Sequence, residues 1–314
     1  MRPLLAFAGN WHQVLAIRLA DRVGKGVRTA PRDAMIADSV RLEQRGLAFG
    51  FHRAMDHLGA VIGPIIGYVL VILFAGNFTQ IFLIAAIPAL MAVLVAMFVM
   101  RESPPNHTDK SKPVKLSLRG FDSNFKRFLL ILALFTLSNS SDSFLILRAR
   151  DSGVPLGIIP LLWAAHHASK VLSSLYGGDL SDRLGRKRLI VSGWVLYAAV
   201  YAGFAFVTNA FSVWALFLIY GIYFGLVEGA EKALVADLVR PEQRGTAYGL
   251  YNLAFGITVF PASLLMGMIW DWKGPATAFL ISAVMGATAA ILLLIFVQRR
   301  VQNELAPGAL ENVN

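Results

Sequence analysis

Ala34 to Gly50 reads AMIADSVRLEQRGLAFG, and Ala233 to Gly249 reads ALVADLVRPEQRGTAYG. The two stretches lie 199 residues apart and agree at 11 of 17 positions. Three of the six differences are conservative, such as Met35 against Leu234 and Phe49 against Tyr248. Each copy sits between long apolar stretches, so the repeated unit is a helix pair with its connecting loop. A second copy so far downstream implies two similar halves, each holding several membrane helices.

Working outward, apolar runs recur at Ala60 to Phe74, Ile81 to Met100, Phe128 to Leu137, Leu189 to Val207, Val213 to Gly225, Ala254 to Trp270 and Ala276 to Val297. Their number and length suit membrane spans better than one soluble core. The chain is 56% hydrophobic and 15% charged with a mean hydropathy of +0.60, whereas soluble domains carry about 25% charged residues. With the more polar spans between these runs, the count is about nine helices. The expected class is an all-α polytopic membrane protein, a helical bundle in contact with the lipid bilayer. The breaks carry turn residues and charges rather than strand patterns. Cysteine is absent, which excludes disulfides, thiolate metal sites and cysteine nucleophiles.

The net charge of +10 raises nucleic-acid binding as a reading, and the placement of the charge excludes it. With alternate loops assigned to opposite sides, 17 of the 29 Lys and Arg fall on one side and three on the other. That asymmetry marks the basic side as cytoplasmic.

Residues 1–100 read as three membrane helices of the first half, 101–126 as a polar cytoplasmic linker, 127–300 as a six-helix second half, and 301–314 as a disordered cytoplasmic tail. The second half opens near Asn124, and its counterpart by the repeat offset falls about 75 residues before Met1, room for about three spans. The expectation is therefore a chain shortened at its N-terminus, by truncation or by a start codon lying upstream.

Gly178-Asp179-Leu180-Ser181-Asp182-Arg183-Leu184-Gly185-Arg186-Lys187-Arg188 resembles the loop motif G-x-L-x-D-R-x-G-R-K of the major facilitator superfamily. The glycines permit a tight turn and close helix approach, and Asp182 is placed to pair with Arg and to sit at a helix end. Gly178, Asp182, Arg183, Gly185, Arg186 and Lys187 are the gating-loop candidates. Arg18 to Gly26 resembles the fourth-helix motif R-x-x-Q-G-x-G in part, with Asp21 and Arg22 replacing Gln and Gly. Gly50, Gly59, Gly63, Pro64 and Gly67 resemble the fifth-helix antiporter motif, departing only at Tyr68. Small residues on one face let helices pack closely, and Pro64 can kink the span.

The resemblance covers essentially the whole chain as helices four to twelve of a twelve-helix carrier, three fewer than usual. It implies secondary active transport of a small solute by alternating access, and the antiporter-type motif implies proton-coupled export, with protons as the coupling ion. A bacterial inner membrane is the expected location. Two alternatives are proton-coupled uptake and a non-transporting membrane fragment. Neither cofactor nor metal is expected, oligomeric state is not legible, and no nucleophile–base or metal set suggests an enzyme.

Ionisable groups inside spans are costly and face a cavity or a partner. The candidates for coupling or transport are Arg18, Asp21, Arg53, Asp56, Asp142, Glu228 and Glu231. Structural pairing between helices is the competing reading for each. Arg53 and Asp56, three apart, can pair on one face. Asp142 lies in the polar stretch Ser138 to Ser143, and His166, His167 and Lys170 cluster on the next span. The opening span carries seven charges between Arg18 and Asp33. At roughly 3 kcal/mol each, the crude sum is about 20 kcal/mol against lipid, so this helix is expected to pack against protein or water.

Overall fold

The computed structural model describes residues 2–75, 77–98 and 117–298. Most of the expected linker (101–126) and the whole tail (301–314) lie outside the described residues. Among the described residues there is no strand. A short 3-10 turn, Arg2–Phe7, leads into α1 (Trp11–Ser39), α2 (Arg45–Leu73), α3 (Phe78–Ile84) and α4 (Ala86–Phe98). The second half comprises α5 (Ser123–Ser138), α6 (Ser143–Asp151), α7 (Ile159–Leu184), α8 (Arg186–Phe206), α9 (Ala210–Leu238), α10 (Arg244–Lys273) and α11 (Pro275–Phe296).

The repeat extends well past the 17 quoted residues. α1 and α9 are both 29 residues long and begin 199 positions apart. Each opens on an asparagine cap: the Asn10 side chain accepts from the Gln13 N–H at 3.0 Å, and that of Asn209 from the Ser212 N–H at 2.9 Å. Such caps satisfy one of the four amide donors a helix start leaves free. The 3-10 turns Leu42–Gln44 and Pro241–Gln243, and the starts of α2 and α10, repeat at the same offset. At the expected tight turn, Gly185 joins α7 to α8 with φ +93°, a conformation that strains any residue with a Cβ.

Among the described residues, seven segments are long and apolar enough to cross a membrane. They are Leu42–Leu73, Phe78–Val95, Ser123–Asp151, Arg186–Phe206, Ala210–Leu238, Pro241–Lys273 and Pro275–Phe296. The more polar α1 and α7 are not among them.

The core belongs mainly to the second half, where α8 packs on α9 and α11, α5 on α10 and α11, and α7 on α9. Its centre is aromatic: Phe135 stacks on Trp194 at 4.1 Å, and Tyr197, Tyr201 and Tyr220 are fully buried. By contrast, the most apolar windows of α2 and of the α3–α4 span are 6% and 0% buried. Apolar surface turned outward on this scale is what a lipid-facing helix presents. The first half meets the second chiefly through α2, which lies along α7 and α9.

The charged opening helix meets the rest of the protein only towards its end: Trp11 to Ala16, Arg18, Leu19 and Val23 to Arg28 are exposed, and burial begins near Ala30. α1 packs against α10 and α9, and it is the buried Asp33 and Ala37 near its C-terminal end that carry the contact.

Candidate functional site: the polar seam between the repeats

Where α2 begins, it touches α7 backbone to backbone. A Cβ on Gly46 would lie 2.6 Å from the Gly178 carbonyl oxygen, and one on Gly50 would lie 2.8 Å from the Gly178 Cα. Glycine is needed here for approach rather than for a turn. The contact brings Asp182 to the start of α2, where its carboxylate accepts from the Gly46 N–H at 3.0 Å and the Leu47 N–H at 2.9 Å. Gln44, the residue before the helix, makes no side-chain cap bond. An aspartate from the other half thus serves as the helix cap, favoured by the free amides and the helix dipole.

Arg186 donates to Asp182 at 3.0 Å and to the Leu42 carbonyl, and its Nε sits 2.9 Å from Asp237 as an ion pair without hydrogen-bond alignment. Arg45 pairs with the same Asp237 at 2.9 Å and donates to the Ala37 carbonyl at 3.2 Å. Arg244 pairs with Asp38. Asp38 and Asp237 are repeat equivalents, and so are Arg45 and Arg244: each copy's arginine holds the other copy's aspartate. A third pair, Lys232 with Asp33, joins two residues that are themselves 199 apart and almost wholly buried. Asp33 also accepts from Arg32 at 3.1 Å. These pairs hold the loops at 38–45, 182–186 and 237–244 together on one face.

One to two turns further along α2 lies a second cluster. His57 Nε2 is 3.0 Å from Glu228 on α9, Arg53 Nε is 3.7 Å from the same carboxylate, and Arg53 is 3.4 Å from Asp56. The His57 and His167 rings are 5.5 Å apart. The expected Arg53–Asp56 pair therefore forms, though Asp56 is half exposed and also 3.8 Å from His52. Asp142 accepts from the Tyr220 hydroxyl at 3.1 Å.

The remaining candidates separate from these clusters. Glu231 accepts from Trp194 Nε1 at 3.0 Å and from the Tyr251 hydroxyl at 2.8 Å, inside the second half. Arg18 is exposed and Asp21 half-buried, and neither forms an ion pair or a side-chain hydrogen bond among the described residues. Arg183 pairs with Asp179 at the surface, 2.9 Å apart, and Lys187 is half-buried without an ion pair among the described residues. Of the antiporter-type set, Gly50 packs tightly. A Cβ on Gly59, Gly63 or Gly67 would meet nothing within 4 Å, so the close packing expected there is not seen among the described residues. Pro64 lies within α2.

The sequence reading did not pick out His57, Asp33, Asp38 and Asp237 as site residues. The repeat itself carried a usable signal for the last three. Laying one copy on the other puts Asp33 beside Lys232, and puts both Asp–Arg sets in register.

The Major Facilitator Superfamily profile matches residues 3–165 and 128–312. The chain belongs to the major facilitator superfamily. It is 35% identical over 297 residues to an uncharacterised MFS-type transporter of Methanocaldococcus jannaschii, covering 93% of this chain and 74% of the relative. It is 27% identical over 263 residues to the multidrug resistance protein MdtG of Proteus mirabilis, covering 80% of this chain and 63% of that protein. The fold resembles that of the human organic anion transporter MFSD10 (TETRAN), with a TM-score of 0.78 at 16% identity, over 92% of this chain and 73% of that one. This superfamily member is thus a multi-pass membrane transporter for a small solute, and not an enzyme.

Proposed function

We infer that the chain works by alternating access, exporting its solute in exchange for protons across a bacterial inner membrane, with the basic loops in the cytoplasm. The observation that carries this reading is the exchange of ion pairs between the two repeat copies. A face closed by charge pairs at its loops can open when the halves rock and close again without unfolding apolar surface. The 17-to-three excess of Lys and Arg supports a cytoplasmic location for that face. Export is favoured by the antiporter-type motif on α2 and by the likeness to a multidrug resistance protein. Proton coupling is favoured by the Glu228 carboxylate, which lies within the span and bridges the halves through His57 and Arg53; intramembrane carboxylates of this kind mark proton relays. On this reading α1 and α7 also cross the membrane, bringing the spans to nine, with their charges turned to protein or to a polar cavity rather than to lipid.

The test is flux in sealed vesicles holding the full chain, under an imposed pH gradient, against a panel of lipophilic cations and small zwitterionic metabolites. Gradient-driven movement of at least one compound, lost in Glu228→Gln, is expected. Flux indifferent to the gradient refutes the coupling. No flux of any compound refutes the carrier reading for this chain.

A further inference from the structure

The span made of α5 and α6 is broken in its middle. Helix geometry stops at Ser138 and resumes at Ser143, leaving Asn139 to Asp142 as unwound polar backbone. Non-helical backbone at membrane depth is tolerated where it is buried in protein or lines a cavity, and in carriers such breaks are where substrates are held.

The groups around this break are short of partners. The Asp142 carboxylate accepts from Tyr220, but no Lys, Arg or His nitrogen among the described residues lies within 4.0 Å of it. No aligned hydrogen bond among the described residues reaches the buried Ser140 hydroxyl, the Tyr201 hydroxyl or His166 Nε2. Across the gap, on α7, Lys170 is 4% exposed. Its ammonium lies 3.4 Å over the Phe224 ring, and no carboxylate among the described residues lies within 4.0 Å. Tyr220 and Phe224, which hold them, are one turn apart on α9 with rings 5.0 Å apart. Asp142 and Lys170 therefore flank the same pair of adjacent rings, more than 4.0 Å from each other.

Opposite charges that flank one ring pair without meeting, Lys170 buried and Asp142 half-buried, are an expensive arrangement unless something completes them. A cation alone would satisfy Asp142 and be repelled by Lys170; an anion alone would do the reverse. A molecule with both charges a few ångströms apart satisfies both ends at once, and the Phe224 face and the free hydroxyls suit its short organic body. We propose that the α5–α6 break and Lys170 form a binding site for a small zwitterion, with its ammonium on Asp142 and its carboxylate on Lys170.

This rests on the carrier reading above and adds the substrate class to it. The test uses the full chain in detergent with four probes of equal carbon number: 2-aminobutyrate, 4-aminobutyrate, butylamine and butyrate. Binding is read by thermal shift and by counterflow in vesicles. At least one aminobutyrate is expected to bind tenfold or more tightly than butylamine and butyrate. Lys170→Met should lose that preference in favour of butylamine, and Asp142→Asn in favour of butyrate. Lys170→Arg and Asp142→Glu should keep it, which separates ligand contact from loss of folding. Equal binding of the singly charged probes, failure of both aminobutyrates to bind, or an unchanged preference in Lys170→Met and Asp142→Asn would overturn the assignment. Those outcomes leave the carrier reading standing if gradient-driven flux of another solute persists; absence of all flux removes both.

Discussion

The two copies of the repeated segment share 11 of 17 residues and face different surroundings. In the second copy Ala233 to Ala236 are buried in a row, whereas Ala34 to Ile36 are only half-buried. Gly46 is pressed against the α7 backbone, while its equivalent Gly245 would meet nothing within 4 Å. Asp237 holds two arginines, Arg45 and Arg186; Asp38 pairs with one among the described residues, Arg244. The start of α2 is capped by Asp182 across the seam. The start of α10 has no side-chain cap from its own preceding residue. What the copies keep in common is the chemistry by which they hold each other. What differs is how each is embedded. The pairing therefore depends on the repeat, and the cost of breaking it depends on location.

Four substitutions sharpen this contrast. The largest effect is expected at the buried Lys232–Asp33 pair. Lys232→Met leaves the buried Asp33 with Arg32 as its remaining cation and should cost about 3 kcal/mol in unfolding of the detergent-solubilised chain. Adding Asp33→Asn should recover much of that loss. A double variant no better than the single would mean that the two residues are not coupled.

Next comes Gly46→Ala, which forces a methyl against the Gly178 carbonyl and should cost about 1–3 kcal/mol. Asp182→Ala removes the cap of α2 and should cost about 1 kcal/mol, with faster amide exchange at Gly46 and Leu47 as a specific readout. Unchanged exchange there would argue against the capping role. The smallest effect has the opposite sign. Gly245→Ala has open space and a helical position, so it should stabilise by about 0.5–1 kcal/mol. If Gly46→Ala and Gly245→Ala proved alike, the difference in embedding would be wrong.

Much of the architecture was legible from periodicity and repeat. The helix pair, its 199-residue offset and the glycine turn at Gly185 all follow from local pattern. The Arg53–Asp56 pair was legible because three residues is a helical neighbour spacing. The partners of Glu228 were not, since His57 lies 171 residues away and helix periodicity names a face, not what faces it. Arg18 and Asp21 were singled out because charge within a span is costly. The structure leaves Arg18 exposed and Asp21 without an ion pair among the described residues, since cost alone says that a charge needs company but not which. Glu231 illustrates the same gap: its buried carboxyl is satisfied inside the second half by Trp194 and Tyr251, which no sequence spacing announces.

The central claim is that the two copies close one face by holding each other's charges. Arg41 and Arg240 are exposed repeat equivalents on the two loops, and the absence of native cysteine makes them clean labelling sites. Spin labels on Arg41→Cys and Arg240→Cys report the distance across that face by pulsed electron resonance. A narrow, short distribution is expected with Arg45 and Arg244 intact, shifting to longer and broader distances when both are changed to Gln. A distribution that stays short and narrow in the double Gln variant would contradict the account.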